Sequence, residues 1–167
     1  RAMNAAIRPL TTDDSAALAD FYRSLAPETV FVYGPFQPVD EGQLAEFLAS
    51  PHARSWGLVS ADGAIEGHVF LRGLEKPPPE FGIGLRERAQ GQGWGRRMMA
   101  TAIGWADEQP LPLVMLTVFK INSRARAMYA SFGFTELRDH TCRGADDSLY
   151  CERPLAASAT LAPGDRS

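Results

Sequence analysis

Two stretches of this sequence carry residue types that could bind a phosphate group and move a proton. The first is residues 90–95, with the sequence QGQGWG, in which glycine occupies every second position. Glycine leaves room for a phosphate to approach the backbone, and it adopts the positive φ angles that tight turns require. In the second stretch, Asn122 and Tyr129 are seven residues apart. A tyrosine hydroxyl has an ordinary pKa of about 10 and can therefore donate a proton at neutral pH.

The segment at residues 90–95 lies between a predicted strand, residues 80–86, and a predicted amphipathic helix, residues 93–108. The unpaired amides and the positive dipole end of such a helix converge on the loop that precedes it. A pyrophosphate fits that environment, and Arg88, Arg96 or Arg97 could add positive charge. Taken alone, three glycines before a helix are also consistent with an ordinary helix start.

The spacing of these glycines excludes two common nucleotide-binding motifs. A Walker loop ends in Gly-Lys-Ser or Gly-Lys-Thr, and neither follows these glycines. A dinucleotide-binding fingerprint needs Gly-x-Gly-x-x-Gly close to the first strand, with an acidic residue about 20 residues further on. Here the glycines come late in the chain with the spacing Gly-x-Gly-x-Gly. An ordinary nucleotide-binding domain is therefore disfavoured.

The second stretch places Asn122 and Tyr129 on one face of a predicted helix, because their spacing corresponds to about two helical turns. Two polar side chains on one face can contact the same ligand. The alternative is that Asn122 is only the N-cap of the helix and Tyr129 only a half-buried helix residue. Gly133 is suited to end this helix in a left-handed conformation.

The remaining sequence predicts a series of strands and helices that must position these two stretches. Strands are predicted at residues 6–10, 56–60, 64–73, 80–86, 113–119, 134–138 and 148–153, and helices at residues 16–25, 41–49, 93–108 and 122–132. Prolines and aromatic residues within residues 26–40 indicate an irregular loop of the kind that often lines a binding site. The nearly continuous apolar run at residues 113–119 predicts a central strand that is covered on both faces.

Length, charge and cysteine content limit the class of protein. A chain of 167 residues with 45% apolar residues has material for one ordinary domain, expected at residues 4–155, and the small, polar residues 156–167 predict a disordered tail. The net charge of −3 argues against a nucleic-acid partner. Cys142 and Cys151 form neither a disulfide framework nor a metal motif, so no metal is expected. No apolar run is long enough to span a membrane, and the cytoplasm is the expected location.

Taken together, the two stretches resemble the signatures of the GNAT superfamily of N-acetyltransferases. Its acetyl-CoA motif has Gln or Arg, two residues, Gly, one residue, and Gly or Ala, which Gln90, Gly93 and Gly95 match. Its second signature has Asn, several residues and Tyr, followed by an aromatic-Gly-Phe helix end, here residues 132–134. The resemblance covers roughly residues 6–153. It implies an α/β (α+β), single-domain GNAT fold, in which about four helices flank a central mixed, mostly antiparallel sheet of six to seven strands, splayed between the fourth and fifth strands.

The resemblance also implies where acetyl-CoA, as the co-substrate, would bind. In this family the pantetheine arm enters the gap between the two splayed strands. Backbone groups of Ile83, Gly84 and Leu85 would contact the arm and stabilise an oxyanion, while Asn122 would hold the arm from the other side. The residues expected to contact the cofactor are Ile83, Gly84, Leu85, Gln90, Gly91, Gln92, Gly93, Trp94, Gly95, Arg96, Asn122 and Arg126.

The implied reaction is direct attack of a primary amine on the thioester, which requires a general acid and a route for the amine proton. Tyr129 is the expected general acid for the leaving thiolate. Glu80, at the start of the strand before Ile83, is the candidate base, directly or through a water; the alternative is a solvated strand-end carboxylate. Glu75 and His68 are weaker candidates, because a histidine in a strand is more often a residue with a satisfied hydrogen bond.

The acyl acceptor is expected to be an amine of a small molecule, a peptide or a protein. Its selection is expected to depend on residues 26–40, on the hairpin at Trp56 and on the connection at residues 142–147. The alternative function is a non-catalytic acyl-CoA-binding module, against which Tyr129 argues. Symmetric dimers are common among small enzymes, so a homodimer is a further expectation.

Overall fold

The computed structural model describes residues 2–142 and 145–156, with only the backbone described at residues 31, 32, 145 and 146. Most of the predicted tail at residues 156–167, and part of the connection at residues 142–147, therefore lie outside the described residues. Across the part of the chain that is described, no helix combines the length and the apolar character needed to cross a membrane. The expected cytoplasmic location stays a prediction.

Seven strands and five α-helices make up the described chain. They are β1 Ala5–Pro9, α1 Ser15–Arg23, α2 Pro27–Val32, α3 Glu41–Ala49, β2 Ala53–Ser60, β3 Ile65–Arg72, β4 Glu80–Leu85, α4 Trp94–Asp107, β5 Leu113–Phe119, α5 Ser123–Ser131, β6 Thr135–Cys142 and β7 Ala145–Pro154. Short 3₁₀ turns at Thr12–Asp14 and Glu87–Ala89 precede α1 and follow β4. The strands and helices predicted from the sequence are therefore confirmed in type and order.

The predicted irregular loop at residues 26–40 is partly helical, which corrects the sequence-based expectation and raises the number of helices from about four to five. Its helix is α2, and a proline in the first turn of a helix loses no intrahelical hydrogen bond. Pro27 therefore begins a helix, although in the sequence a proline also indicates a loop. The following helix, α3, begins as predicted, with Asp40 Oδ1 accepting a hydrogen bond from the Gln43 amide at 2.9 Å.

The strands form one mixed sheet in the order β1-β2-β3-β4-β5-β7-β6. The pairs β1/β2, β2/β3, β5/β7 and β6/β7 are antiparallel. The pair β4/β5 is parallel, with Glu80 in register with Met115. The predicted α/β (α+β) class, with a mixed and mostly antiparallel sheet of six to seven strands, is confirmed.

The chain groups into two compact units, each with its own buried side chains. The first unit comprises Arg1–Arg72 and Gly82–Ala102, and the second comprises Gly73–Phe81 and Ile103–Ser167. A hydrophobic cluster in the first unit contains Leu10, Leu18, Ala19, Phe21, Tyr22, Leu25, Leu44 and Ile65. The second unit buries Val114, Leu116, Val118, Phe134, Cys151 and Leu155. The expectation of a single domain at residues 4–155 stays a prediction.

Strand β5 is interior in the sheet order, as predicted, but it is not covered equally on its two faces. Val114, Leu116 and Val118 are buried, whereas Thr117 between them is exposed. Successive side chains of a strand point to opposite faces, so this alternation means that one face of β5 is more deeply buried than the other. The nearly continuous apolar run in the sequence gave no indication of this difference in burial between the two faces.

Candidate active site

The loop at residues 90–95, which we call the phosphate loop, has the backbone conformation that its glycines predicted. Gly91 has φ of 74° and Gly93 has φ of 83°, a region that residues with a Cβ rarely adopt. A Cβ added to Gly93 would meet no protein atom within 4 Å. The glycine is therefore required by its conformation and not by crowding, and the space in front of it is open to a ligand.

Helix α4 begins directly after these glycines. The Arg97 amide donates to the Gly93 carbonyl at 3.3 Å, and the amides ahead of such a bond have no carbonyl partner within their own helix. Trp94 is buried and anchors the first turn, and the Arg97 guanidinium lies 4.2 Å from the centre of its ring. The positive end of the α4 dipole and the amides of its first turn thus lie next to the phosphate loop.

Side-chain hydrogen bonds tie the phosphate loop to the segment that precedes it. Gln90 Nε2 donates to the Leu85 carbonyl at 3.2 Å, and Gln92 Nε2 donates to the Arg88 carbonyl at 2.7 Å. Gln92 Oε1 also accepts a hydrogen bond from the Met3 amide at 3.4 Å. Gln90 and Gln92 are exposed, so these contacts shape the loop without covering it.

A buried carboxylate below the loop is a feature that the sequence analysis missed. The side chain of Glu66, in β3, is 1% exposed and accepts hydrogen bonds from two guanidinium nitrogens of Arg88, Nε at 2.8 Å and Nη2. Arg88 was a candidate for binding phosphate, but its guanidinium is paired with Glu66. Because a glutamate in a strand is usually solvated, nothing in the local sequence identified this pair.

Strand β4 contains the predicted pantetheine-binding residues. Ile83 and Gly84 are buried and Leu85 is half-buried. A Cβ added to Gly84 would overlap the ring of Tyr33, and one added to Gly82 would overlap the ring of Phe70. Two aromatic rings therefore pack directly onto the backbone of β4 at alternate residues, which only glycine permits.

These two rings belong to what we call the aromatic cluster of the first unit. Its members are Tyr22, Tyr33, Phe36, Phe47, His68 and Phe70, with ring centres 4.9–6.1 Å apart in the contacting pairs. The Arg72 guanidinium lies 5.8 Å from the centre of the Phe36 ring and 5.5 Å from that of Phe70. Members come from α1, α3, β3 and the segment after α2, so the cluster holds two helices and that segment to the sheet.

A chain of hydrogen bonds runs through the aromatic cluster. The Tyr22 hydroxyl lies 2.8 Å from the Tyr33 hydroxyl and 2.7 Å from Nδ1 of His68. His68 is fully buried, and its Nε2 atom has no hydrogen-bond partner among the described residues. Burial lowers the pKa of His68 to about 3, so its imidazole is neutral at physiological pH. The expectation of a satisfied strand histidine is met at Nδ1 but not at Nε2.

In the second unit, Asn122 is the N-cap of α5, and its Oδ1 accepts a hydrogen bond from the Ala125 amide at 3.2 Å. Gly133 ends this helix region with φ of 91°, as predicted. Arg126, predicted to contact the cofactor, pairs with Glu136 at 2.8 Å and donates to the Lys120 carbonyl at 3.0 Å. Those contacts hold α5 to β6, and a cofactor role for Arg126 stays a prediction.

Tyr129 projects from α5 onto aromatic neighbours in the second unit. Its ring centre lies 6.4 Å from that of Phe81 and 5.9 Å from that of Phe134, both in edge-on arrangements. Burial, and to a smaller degree the thiol of Cys151, raises the pKa of Tyr129 above its ordinary value. The hydroxyl therefore keeps its proton throughout the neutral and mildly alkaline range.

Glu80 is the first residue of β4 and is half-buried. Its neighbour Phe81 contacts Tyr129, and successive strand side chains point to opposite faces. Glu80 therefore points away from the face on which Tyr129 lies. The roles of Tyr129 as general acid and of Glu80 as general base stay predictions.

The described residues hold no group of three or more His, Cys, Asp or Glu side chains that could bind a metal ion.

Comparison with known proteins identifies the family to which this chain belongs. The acetyltransferase (GNAT) family matches residues 18–134, which include both the phosphate loop and α5. The chain belongs to the acetyltransferase (GNAT) family. The enzyme class predicted from the two motifs, an N-acetyltransferase, is confirmed.

Individual members of the GNAT family are similar to the chain at different levels. The aminoglycoside N(6')-acetyltransferase type 1 of Serratia marcescens is 30% identical over 103 residues, which are 56% of this chain and 70% of that protein. A phosphinothricin acetyltransferase of Sinorhizobium meliloti, solved with AcCoA, superposes with a TM-score of 0.78 at 17% identity, over 98% of this chain and 95% of that one. The spermidine N-acetyltransferase of Vibrio cholerae, solved with CoA and spermine, gives a TM-score of 0.74 at 18% identity, over 93% and 98%.

Proposed function

We propose that this acetyltransferase moves the acetyl group of acetyl-CoA directly onto a primary amine of a small molecule or peptide. The observation that carries the proposal is the phosphate loop. Gly91 and Gly93 have left-handed φ angles directly before the first turn of α4, and a Cβ added to Gly93 would meet no atom of the described residues within 4 Å. That arrangement offers backbone amides to a pyrophosphate. Similar structures that contain AcCoA or CoA support acetyl-CoA as the co-substrate.

The residues we assign to the cofactor divide by the part of acetyl-CoA they would hold. The amides of residues 90–95, together with Arg96, would bind the pyrophosphate. The backbone of residues 83–85 would contact the pantetheine arm and stabilise the oxyanion of the tetrahedral intermediate. The helix cap of Asn122 uses Oδ1, so we assign its Nδ2 protons to the same arm.

In the proposed reaction the neutral amine attacks the thioester carbonyl, a C–N bond forms and the C–S bond breaks. The amine proton passes to Glu80, directly or through a water. The leaving thiolate takes a proton from the Tyr129 hydroxyl, which solvent later restores. In water a thiolate is a weaker base than a tyrosine phenolate. The proton transfer from Tyr129 therefore depends on a hydrogen bond to the sulfur that forms as the C–S bond breaks.

The raised pKa of Tyr129 gives this assignment a pH dependence. A raised tyrosine pKa keeps the acid protonated, and therefore active, even at a pH equal to its ordinary pKa of about 10. We expect kcat to show no decline that depends on Tyr129 between about pH 7 and pH 9. A pH profile of kcat with saturating amine measures this, and a decline in that range that is lost in Tyr129→Phe would contradict the raised pKa of Tyr129.

The acceptor is proposed to be a small-molecule amine first and a peptide amine second. The relative from Serratia marcescens is named for an aminoglycoside, and the similar structure from Vibrio cholerae for spermidine. Both are amines of small molecules, which supports placing a small-molecule amine before a peptide amine as the acceptor. We propose that residues 26–40, which carry α2 and part of the aromatic cluster, select the acceptor.

The experiment that tests the proposal is a thiol-release assay with acetyl-CoA and a panel of amines. The panel contains kanamycin, spermidine, phosphinothricin, free amino acids and a lysine peptide. The wild type is compared with Tyr129→Phe, and with Tyr150→Phe as a matched control, because the Tyr150 hydroxyl donates to Glu152 in the same unit. We expect kcat to fall at least about tenfold in Tyr129→Phe alone, with the acetyl-CoA Kd unchanged in both variants.

Other outcomes of this assay are equally informative. Acetyl-CoA binding without turnover of any amine would favour the acyl-CoA-binding module. Absence of acetyl-CoA binding in the wild type would refute the proposed function itself.

A further inference from the structure

The short helix α2 is capped by a carboxylate from a distant part of the chain. Glu87 Oε1 accepts hydrogen bonds from the Ala26 amide at 2.9 Å and from the Thr29 hydroxyl at 2.7 Å. Ala26 is the N-cap residue of α2 and has no side-chain oxygen to satisfy the first amides. Glu87 instead binds the amide of Ala26 itself and the side chain of Thr29 in the first turn, and the hydrogen bond from Thr29 lowers the pKa of its carboxyl group.

The turn that carries Glu87 is the same turn that holds the phosphate loop. The Gln90 amide donates to the Glu87 carbonyl at 3.2 Å, and Gln92 Nε2 donates to the Arg88 carbonyl at 2.7 Å. Arg88 is itself fixed to the buried carboxylate of Glu66. The turn at Glu87–Ala89 is thus bonded on one side to the loop and on the other to α2.

The opposite end of α2 also rests on the strand that leads into this turn. Tyr33 follows α2, and its amide donates to the Thr29 carbonyl at 2.7 Å. Its ring packs on the bare backbone of Gly84 in β4, and its hydroxyl bonds to Tyr22. Helix α2 is therefore held at its start by the turn after β4 and at its end by β4 itself.

We propose that Glu87 is a positioning residue that couples acetyl-CoA binding at the phosphate loop to the placement of α2. A ligand that restrains residues 90–95 restrains the turn at Glu87–Ala89, and the carboxylate on that turn fixes the start of α2. Coupling of this kind is reciprocal. If acetyl-CoA tightens the binding of an acceptor that contacts residues 26–40, that acceptor tightens acetyl-CoA binding by the same factor. The link to the acceptor rests on the proposed function; the link between loop and α2 does not.

The first test needs no acceptor. Hydrogen exchange is measured on the full chain with and without CoA, in the wild type, in Glu87→Ala and in Glu46→Ala, which removes an exposed carboxylate from α3 of the same unit. In the wild type and in Glu46→Ala, CoA is expected to slow exchange at residues 90–95 and also at residues 26–33, by about five- to tenfold. In Glu87→Ala the slowing at residues 90–95 remains and that at residues 26–33 is lost.

Two outcomes overturn the inference in distinguishable ways. Slowed exchange at residues 90–95 of the wild type, with residues 26–33 unaffected, refutes the coupling and leaves the proposed function standing. No slowing at either segment, together with no measurable CoA binding, refutes both.

A second test uses Thr29, the other partner of the Glu87 carboxylate. Thr29→Val removes the hydroxyl and keeps the shape, whereas Thr29→Ser keeps the hydroxyl. For the amine identified in the panel, we expect KM to rise roughly tenfold in Thr29→Val and in Glu87→Ala, with kcat little changed and with rescue in Thr29→Ser. The double variant should lose no more than Glu87→Ala alone, because removing the Glu87 carboxylate already breaks the hydrogen bond of the Thr29 hydroxyl. Additive losses, or equal behaviour of the valine and serine variants, would overturn the inference.

Discussion

In the phosphate loop the conformation rests on the backbone, whereas in the aromatic cluster it rests on buried side chains. The loop is exposed, and its shape depends on two glycines at positive φ and on hydrogen bonds that Gln90 and Gln92 donate to carbonyls at most five residues away. The hydrogen-bonded rings of the cluster come from residues 11 and 46 positions apart in the chain. Both regions belong to the first unit.

This difference separates the kinds of change to which each region responds. The phosphate loop has no titrating group of its own, so its conformation is altered mainly by substitution of its glycines. The aromatic cluster contains a buried histidine and rings packed on β4, so it is destabilised by protonation of the histidine and by added side-chain volume on β4. The predictions below vary one of these properties at a time.

The largest effect is expected from protonating His68. Its folded pKa of about 3 lies below the ordinary value of 6.5, so the unfolded chain binds a proton that the folded cluster excludes. Stability tied to this group is complete above about pH 6.5 and falls as the pH drops toward 3, by roughly 1.4 kcal/mol per pH unit. Urea unfolding of the wild type and of His68→Gln, from pH 7 to pH 4, measures the difference. Equal acid slopes in the two proteins would show that His68 is not buried as a neutral group.

A smaller effect is expected from adding one methyl group to β4. In Gly84→Ala the new Cβ would overlap the Tyr33 ring, so the ring must leave its place, and we expect a loss of about 2 kcal/mol in the free energy of unfolding. Gly104→Ala is the control, because a Cβ at that helical position meets no atom within 4 Å. That change should stabilise the protein slightly. A Gly84→Ala protein as stable as the control would mean that Tyr33 does not pack on β4.

The smallest effect is expected from removing the side chain that ties the phosphate loop to the preceding turn. Gln92→Ala loses the hydrogen bond to the Arg88 carbonyl, and we expect acetyl-CoA affinity to fall only about threefold. Gln43→Ala, which removes an exposed glutamine from α3, should leave the affinity unchanged. Calorimetric titration measures both. A loss above about a hundredfold would show that the Gln92 side chain itself binds the cofactor, and not only the loop backbone.

The sequence predicts the phosphate loop well because its information is local. Alternating glycines between a strand and an amphipathic helix determine both the positive φ angles and the helix start. The same holds for Asn122, whose role as N-cap follows from its position before an amphipathic stretch. The fold class was implied by the resemblance to the GNAT family, and the mixed, mostly antiparallel sheet and the similar solved structures confirm it.

The sequence does not predict the aromatic cluster or the Glu87 contact, because neither is local. Tyr22 reads only as an apolar helix position, and nothing near it indicates a hydrogen bond to His68 in β3. Glu87 reads as a solvated residue after a strand, although it caps a helix about 60 residues earlier in the chain. Pairings of this kind are set by how the helices pack on the sheet, which depends on the whole folded unit.

The measurement that tests the central claim most directly is calorimetric titration of acetyl-CoA into Gly93→Ala and Gly63→Ala. Both glycines have positive φ, 83° and 87°, and at both a Cβ meets no atom within 4 Å, so the backbone strain is matched. We expect each variant to lose about 1 kcal/mol of stability. Acetyl-CoA affinity should fall at least about tenfold in Gly93→Ala and stay at the wild-type value in Gly63→Ala. Equal affinity in the two variants would contradict binding of the pyrophosphate by the phosphate loop.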